Sequence, residues 1–172
     1  PGVMKLAEAQ PGKQGEVEDF KVEFTPEDMN VTIKEVIKET KKAVDITDAK
    51  VLVSGGRGIG SADYYKELQK VADLLGGEIS SSRANVDAGW IAKDRQVGQT
   101  GKTVRPDLYL ACGISGAIQH IAGMENSECV ISINKNDTAA IFDVSDLGIV
   151  GDVKVIIPKL IDALTKYKAA QN

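Results

Sequence analysis

The run Leu108-Tyr109-Leu110-Ala111-Cys112 carries no charge and lies between Pro106 and Gly113. A strand with one solvated face alternates apolar and polar residues; this one does not. It reads as a strand buried on both faces, as in a parallel sheet whose faces are both covered. Parallel neighbours need crossover connections, and the flanking sequence supplies them. Gly113 to Gly116 make a tight turn, after which Ala117, Ile118, Ile121 and Ala122 fall at helical spacing. Val51-Leu52-Val53 is a second apolar run. It leads into SGGRGIGS at 54–61 and then a helix face of Tyr64, Tyr65, Leu68, Val71, Ala72 and Leu75, closed by Gly76-Gly77. Glu78 to Ser80 is a weaker strand, Cys129 to Ile133 a buried one, and Ala140-Ile141-Phe142 a further short one. Leu147 to Asp152 reads as a loop with a helical turn after it. Pro158 suits the first turn of a last helix with Leu160, Ile161, Leu164 and Tyr167 on its inner side. The pattern specifies an α/β fold, a Rossmann-like doubly wound parallel sheet.

This pattern begins at Asp45, so the expected division is residues 1–44 and residues 45–172. The first part is read as the remnant of a preceding domain with its linking arm. Within it, Glu16 to Phe24 suggests an antiparallel or edge strand through Val17, Phe20, Val22 and Phe24. Thr25-Pro26-Glu27-Asp28 resembles a helix start, while Asn30 to Ile33 could extend a strand. The chain starts at Pro1 rather than Met, which is read as the mark of a processed piece. Net charge is −4 with no long basic run, which argues against nucleic acid as the main partner. No apolar stretch approaches the roughly 18 residues of a membrane span, so no membrane insertion is expected. Cys112 and Cys129 form no CxxC motif and read as buried thiols in a reducing compartment.

Open parallel sheets bind ligands beyond the carboxyl ends of their strands. Arg57, Ser82, Arg83, Ser115 and Asn134 each follow an expected strand, so topology gathers them on one rim. A strand, a Gly/Ser turn at Ser115-Gly116 and a helix start also present backbone N–H groups to one point, which suits a phosphate. The glycines at 56, 58 and 60 are spaced GxGxG, not GxGxxG. They fit a tight strand-to-helix turn as well as a dinucleotide site. At the second strand, nicotinamide-binding domains carry an acidic residue for the ribose. This chain has Ser82 and Arg83, better suited to a diphosphate or an electron-rich ring. Arg83 could equally form a surface pair with Asp87 or Asp94, and His120, the single histidine, could lie on a helix surface.

SGGRGIGS at 54–61, SSRANVDAGW at 81–90, DRQVGQTGKTVRPDLYLACGISGAIQHIAGM at 94–124, INKND at 133–137 and DLGIVGD at 146–152 resemble the FAD-binding domain of the electron transfer flavoprotein alpha subunit. The resemblance runs from about Val51 to the last helix. The first 44 residues are similar to the end of that subunit's first domain and its link. It implies non-covalent FAD, one- or two-electron transfer and a beta-subunit partner. By position it implies Arg57 in a turn near the cofactor and Ser82 with Arg83 beside the isoalloxazine ring. Val97, Gly98, Gln99 and Thr100 would form the loop over the N5 edge, with the Thr100 hydroxyl at N5. Ser115, Gly116, Ala117, Ile118, Gln119 and His120 would serve the pyrophosphate and ring, His120 near the C2 carbonyl. Asn134, Asp152 and Val153 would lie on the adenosine side. A cation at Arg83 and a donor at His120 suit the negative charge that reduction develops on the ring.

The function expected is therefore that of an electron carrier rather than a substrate-turning enzyme. It would pass electrons from a dehydrogenase, such as an acyl-CoA dehydrogenase of fatty acid beta-oxidation, to an acceptor within an alpha/beta heterodimer. The compartment implied is the bacterial cytoplasm or the mitochondrial matrix. The alternative is an NAD(P)-binding domain of an oxidoreductase or transhydrogenase, with Arg83 on a 2′-phosphate. The third reading is a scaffold domain that binds only protein.

Overall fold

The computed structural model describes residues 12, 15–25, 28 and 45–171. The chain divides into two units, one of Val3–Lys42 and one of Pro1–Gly2 with Ala43–Asn172. In the first unit, residues 15–25 form no strand. Val17 and Phe20 are 92% and 85% exposed. Their spacing of three breaks the period of two that one sheet face requires. At Thr25 the helix-start reading has a counterpart. The Thr25 N–H and hydroxyl both donate to Asp28 Oδ2, at 2.9 and 2.8 Å, and Asp28 N donates to Thr25 O at 3.0 Å. The Asp28 carboxylate on Thr25 N–H is one half of a capping box; the other half is absent, because the Thr25 hydroxyl donates and Asp28 N–H goes to the Thr25 backbone carbonyl. The expectations for Asn30 to Lys42 lie outside the described residues.

The second unit is built on one sheet. Its strands are β1 (Val51–Gly55), β2 (Glu78–Ser81), β3 (Leu108–Cys112), β4 (Val130–Asn134) and β5 (Leu147–Val150). All neighbours are parallel, in the order β2-β1-β3-β4-β5. β3 lies at the centre, as its uncharged sequence requires. Its side chains alternate between two cores. Tyr109 and Ala111 join Leu52, Val97, Met124, Val130 and Ile141 on one face. Leu110 and Cys112 join Val53, Leu68, Val71, Ile133 and Ile157 on the other. Burial of each large aliphatic side chain contributes about 1.5–3 kcal/mol.

The second face is covered by α1 (Tyr65–Leu75) and α4 (Val153–Gln171). α1 ends as its sequence dictates: Gly76 takes φ +68°, and Gly77 N–H donates to Ala72 O at 2.8 Å. The short helices α2 (Arg83–Asp87) and α3 (Ile118–Ile121) follow β2 and β3. Cys112 is buried and Cys129 half-buried, both as free thiols.

Four expectations for this unit are corrected. Ala140-Ile141-Phe142, read as a strand, lies in a 3-10 helix of Ala140–Val144 whose Ile141 is fully buried. Leu147–Val150, read as a loop, is the edge strand β5; its side chains are mostly exposed, which erases the apolar signal of a strand. The last helix starts at Val153, so Pro158 lies past its first turn. Asp152 caps it instead: Asp152 Oδ1 accepts from Lys154 N at 2.8 Å. Tyr167, expected inward, is 63% exposed.

Candidate functional site

From β1 the chain crosses outward to β2 on one side, whereas from β3 it crosses to β4 on the other. The crevice between β1 and β3 is thus the point where the winding reverses. A cleft of about 630 Å³ opens there, beyond the strands' carboxyl ends. Of the residues singled out from sequence, Arg57, Ser82, Arg83, Val97, Gly98, Gln99, Thr100, Ser115, Ala117, Gln119, His120 and Asn134 line it.

One half of the cleft is main chain. Gly56 N–H donates to Cys112 O at 2.9 Å and Gly58 N–H to Gly113 O at 3.0 Å. The two turns therefore touch backbone to backbone. A Cβ on Gly58 would lie 2.7 Å from Gly113 Cα. This explains the GxGxG spacing: those amides join β1's turn to β3's turn and are not donors to a ligand. Donors remain in the turn after β3. The Ser115 and Ala117 N–H groups have no partner among the described residues. Asn134 holds that turn from β4, its Nδ2 donating to Ile114 O at 2.8 Å.

The other half is side chain. Ser82 precedes α2, and its N–H donates to Gly55 O at 3.1 Å. Arg83 Nε lies 3.2 Å from Asp87 Oδ2, so the surface pairing is present, with both side chains about two-thirds exposed to solvent and facing the cleft. Behind them, Tyr65 Oη meets Ser81 Oγ at 2.6 Å, and Asn85 Nδ2 donates to Tyr65 Oη at 2.9 Å and to Gly55 O at 3.1 Å. This buried network fixes the ends of β1 and β2.

The 97–101 segment is a small closed loop. Val97 N–H donates to Ser81 O at 2.9 Å and Lys102 N–H to Gln96 O at 2.8 Å. Gly101 N–H donates to Gly98 O at 2.9 Å, so Gln99 and Thr100 form the tip of a turn. Gly98 has φ +135°, and a Cβ there would meet Gln119 O at 2.8 Å. Gln99 N–H donates to Gln119 O at 2.7 Å, which ties the loop to α3.

His120 is 6% exposed, not a helix-surface residue. Its Nε2 is 2.9 Å from Tyr109 Oη, and its buried Nδ1 has no partner within hydrogen-bond geometry among the described residues, the Val97 backbone being its polar neighbour. Burial lowers its pKa to about 4, partly offset by the Val97 backbone. The imidazole is therefore neutral near pH 7 and engaged inward. Burial likewise raises the pKa of the Cys112 thiol to about 12, so it is no thiolate.

Four residues singled out from sequence do not line the cleft. Gly116 is buried against the backbone of Ala140 and Ile141. Ile118 is 75% exposed at the start of α3. Asp152 caps α4, and Val153 is buried, its carbonyl accepting from Tyr64 Oη at 3.1 Å. Conversely, Gly56, Gly58, Ala84, Asp87, Gln96, Gly113 and Ile114 line the cleft without having been singled out as site residues. Their adjacency to the recognised turns was the available signal. Among the described residues there is no cluster of metal-ligating side chains and no helix long and apolar enough to cross a membrane.

The family model described as the electron transfer flavoprotein FAD-binding domain matches residues 45–125. "Electron transfer flavoprotein subunit alpha" of Thermoanaerobacterium thermosaccharolyticum is 52% identical over 168 residues, 98% of this chain and 51% of that protein. The protein of the same name in Clostridium acetobutylicum is 50% identical over 177 residues, 100% of this chain and 51% of its own. "Acryloyl-CoA reductase electron transfer subunit beta" of Anaerotignum propionicum is 48% identical over 176 residues, 99% of this chain and 48% of its own. The chain spans about half the length of these relatives.

Proposed function

Because the chain belongs to the electron transfer flavoprotein alpha-subunit family through its FAD-binding domain, we propose that its cleft holds FAD non-covalently as part of an electron carrier. The observation that carries this reading is the division of the cleft. Unpartnered Ser115 and Ala117 N–H groups lie in one half, and Arg83, Gln99 and Thr100 in the other. That donor set fits the group: amides for a diphosphate, and a cation and a hydroxyl for a ring that gains electrons.

FAD, when bound, supplies the one- and two-electron chemistry. The chain's residues bind and orient it. Ser115 and Ala117 N–H groups would hold the diphosphate, with the exposed Arg57 close by on the same rim. Arg83 would sit beside the isoalloxazine and favour its more negative form. Asp87 moderates that cation by pairing with it. Gln99 and Thr100 would cover the ring edge at N5, held there by the loop's tie to Gln119. His120 would line the ring side of the cleft, its neutral imidazole held by the inward bond to Tyr109. Asn134 acts by bracing the Ile114 turn.

The whole carrier would be an alpha/beta heterodimer that accepts electrons from a dehydrogenase, an acyl-CoA dehydrogenase being one such donor. Relatives come from bacteria, and one from Dictyostelium discoideum is named mitochondrial. These relatives support a site of action in the bacterial cytoplasm or the mitochondrial matrix.

The test is titration of the purified chain with FAD, followed by visible absorption and flavin fluorescence. Resolved shoulders on the flavin band with quenched fluorescence are expected. A chain that ignores FAD, alone and with a beta-type partner present, but binds NADP would overturn the reading.

A further inference from the structure

Gln96 directly precedes the Val97–Gly101 loop and is 3% exposed. A buried amide needs partners, and this one is spent on the loop. Gln96 Nε2 donates to Thr100 Oγ1 at 3.0 Å. The residue itself is held on both sides. Its N–H donates to Lys93 O at 3.0 Å, its carbonyl accepts from Lys102 N, and its backbone bridges to Ser81 at the end of β2. Gly101 lies against it so closely that a Cβ there would come within 2.9 Å of Gln96 Cγ.

The polarity of that bond matters. A threonine hydroxyl has one proton and two lone pairs. Gln96 occupies a lone pair, and the Thr100 proton has no acceptor among the described residues. Thr100 is exposed at the rim and lines the cleft. We infer that Gln96 is a positioning residue that fixes Thr100 as a hydrogen-bond donor into the cleft, selecting a ligand that presents an unprotonated acceptor there. This rests on the flavin reading for the identity of the acceptor. An oxidised isoalloxazine offers ring nitrogens of that kind; once a ring nitrogen is protonated, it no longer suits the donor. The buried amide would thus bias the bound ring between its protonation states without touching it.

The experiment uses the chain loaded with FAD whose isoalloxazine nitrogens carry 15N, read by nitrogen chemical shifts. Thr100→Val should move one ring-nitrogen resonance toward its non-hydrogen-bonded position. Gln96→Leu should move the same resonance the same way, and the double variant should move it no further than Thr100→Val alone. Gln96→Glu, whose carboxylate accepts the Thr100 proton, should reproduce the Thr100→Val shift. Equal shifts in wild type and Gln96→Glu, or additive shifts in the double variant, would overturn the inference. Failure of wild type to take up FAD sinks the flavin reading separately. The positioning bond is then read in the unliganded chain from the Gln96 side-chain amide signals. Their movement in Thr100→Val upholds the bond, and their indifference removes it.

Discussion

His120 carries a pH dependence of its own. In the unfolded chain its pKa is near the ordinary 6.5, and in the folded domain it is about 4. Between these values the unfolded chain binds a proton that the folded one refuses. Stability therefore rises with pH through this window and is lost as pH falls through it. The loss at about pH 5 relative to neutrality is on the order of 2 kcal/mol. Asp45, lowered to about 2 by Lys102 and the Thr47 backbone, acts only below this window. Urea midpoints at neutral pH and about pH 5 should differ in wild type and converge in His120→Gln. A slope that survives the substitution would place the effect elsewhere. The partner matters too. Tyr109→Phe leaves His120 Nε2 buried without its 2.9 Å contact. The expected cost is about 1–3 kcal/mol, seen as a lower thermal midpoint. No change would mean that the bond contributes nothing net.

Among the elements, the junction of the β1 and β3 turns leaves no room for a side chain. The nearest atoms to an added Cβ on Gly58 are Gly113 backbone atoms, at 2.7 and 2.8 Å, which cannot rotate away. Gly58→Ala should cost about 1–3 kcal/mol and weaken FAD uptake. Normal melting with normal uptake would show that the turns can part freely. The sequence pattern resolved the central elements because central strands have no solvated face to confuse the reading. β3 and β4 stand out as apolar runs, and α1 shows both its periodic face and its glycine stop. Legibility fails at the edge. Leu147 and Val150 are 53% and 61% exposed, so β5 has no apolar alternation. Ile141 and Phe142, by contrast, turn into the first core from a 3-10 helix and mimic a strand.

For the molecule as a whole, the rim that gathers the cleft residues was legible from strand order alone, because a parallel sheet sends every β-to-α turn to one end. What was not legible was which polar groups face the ligand and which face the protein. His120 and Gln96 are both polar residues beside the recognised loop, yet both are buried and spend a side-chain bond on a neighbour. Only the packing decides that. A global consequence can be measured. FAD that binds the folded domain alone should raise its unfolding midpoint, by about 2.7 kcal/mol of stability at a hundredfold excess over Kd. An unmoved midpoint under saturating FAD would contradict binding to the native fold. The split of the cleft into a main-chain half and a side-chain half has a consequence for how such a domain can vary. On the proposed reading, grip would rest on peptide groups and be indifferent to which side chains drift past. On the same reading, the electrical character of the bound ring would rest on Arg83, Asp87, Gln96 and Thr100. A lineage can retune the voltage of its carrier by exchanging those few side chains and keep its hold on the carrier's cargo.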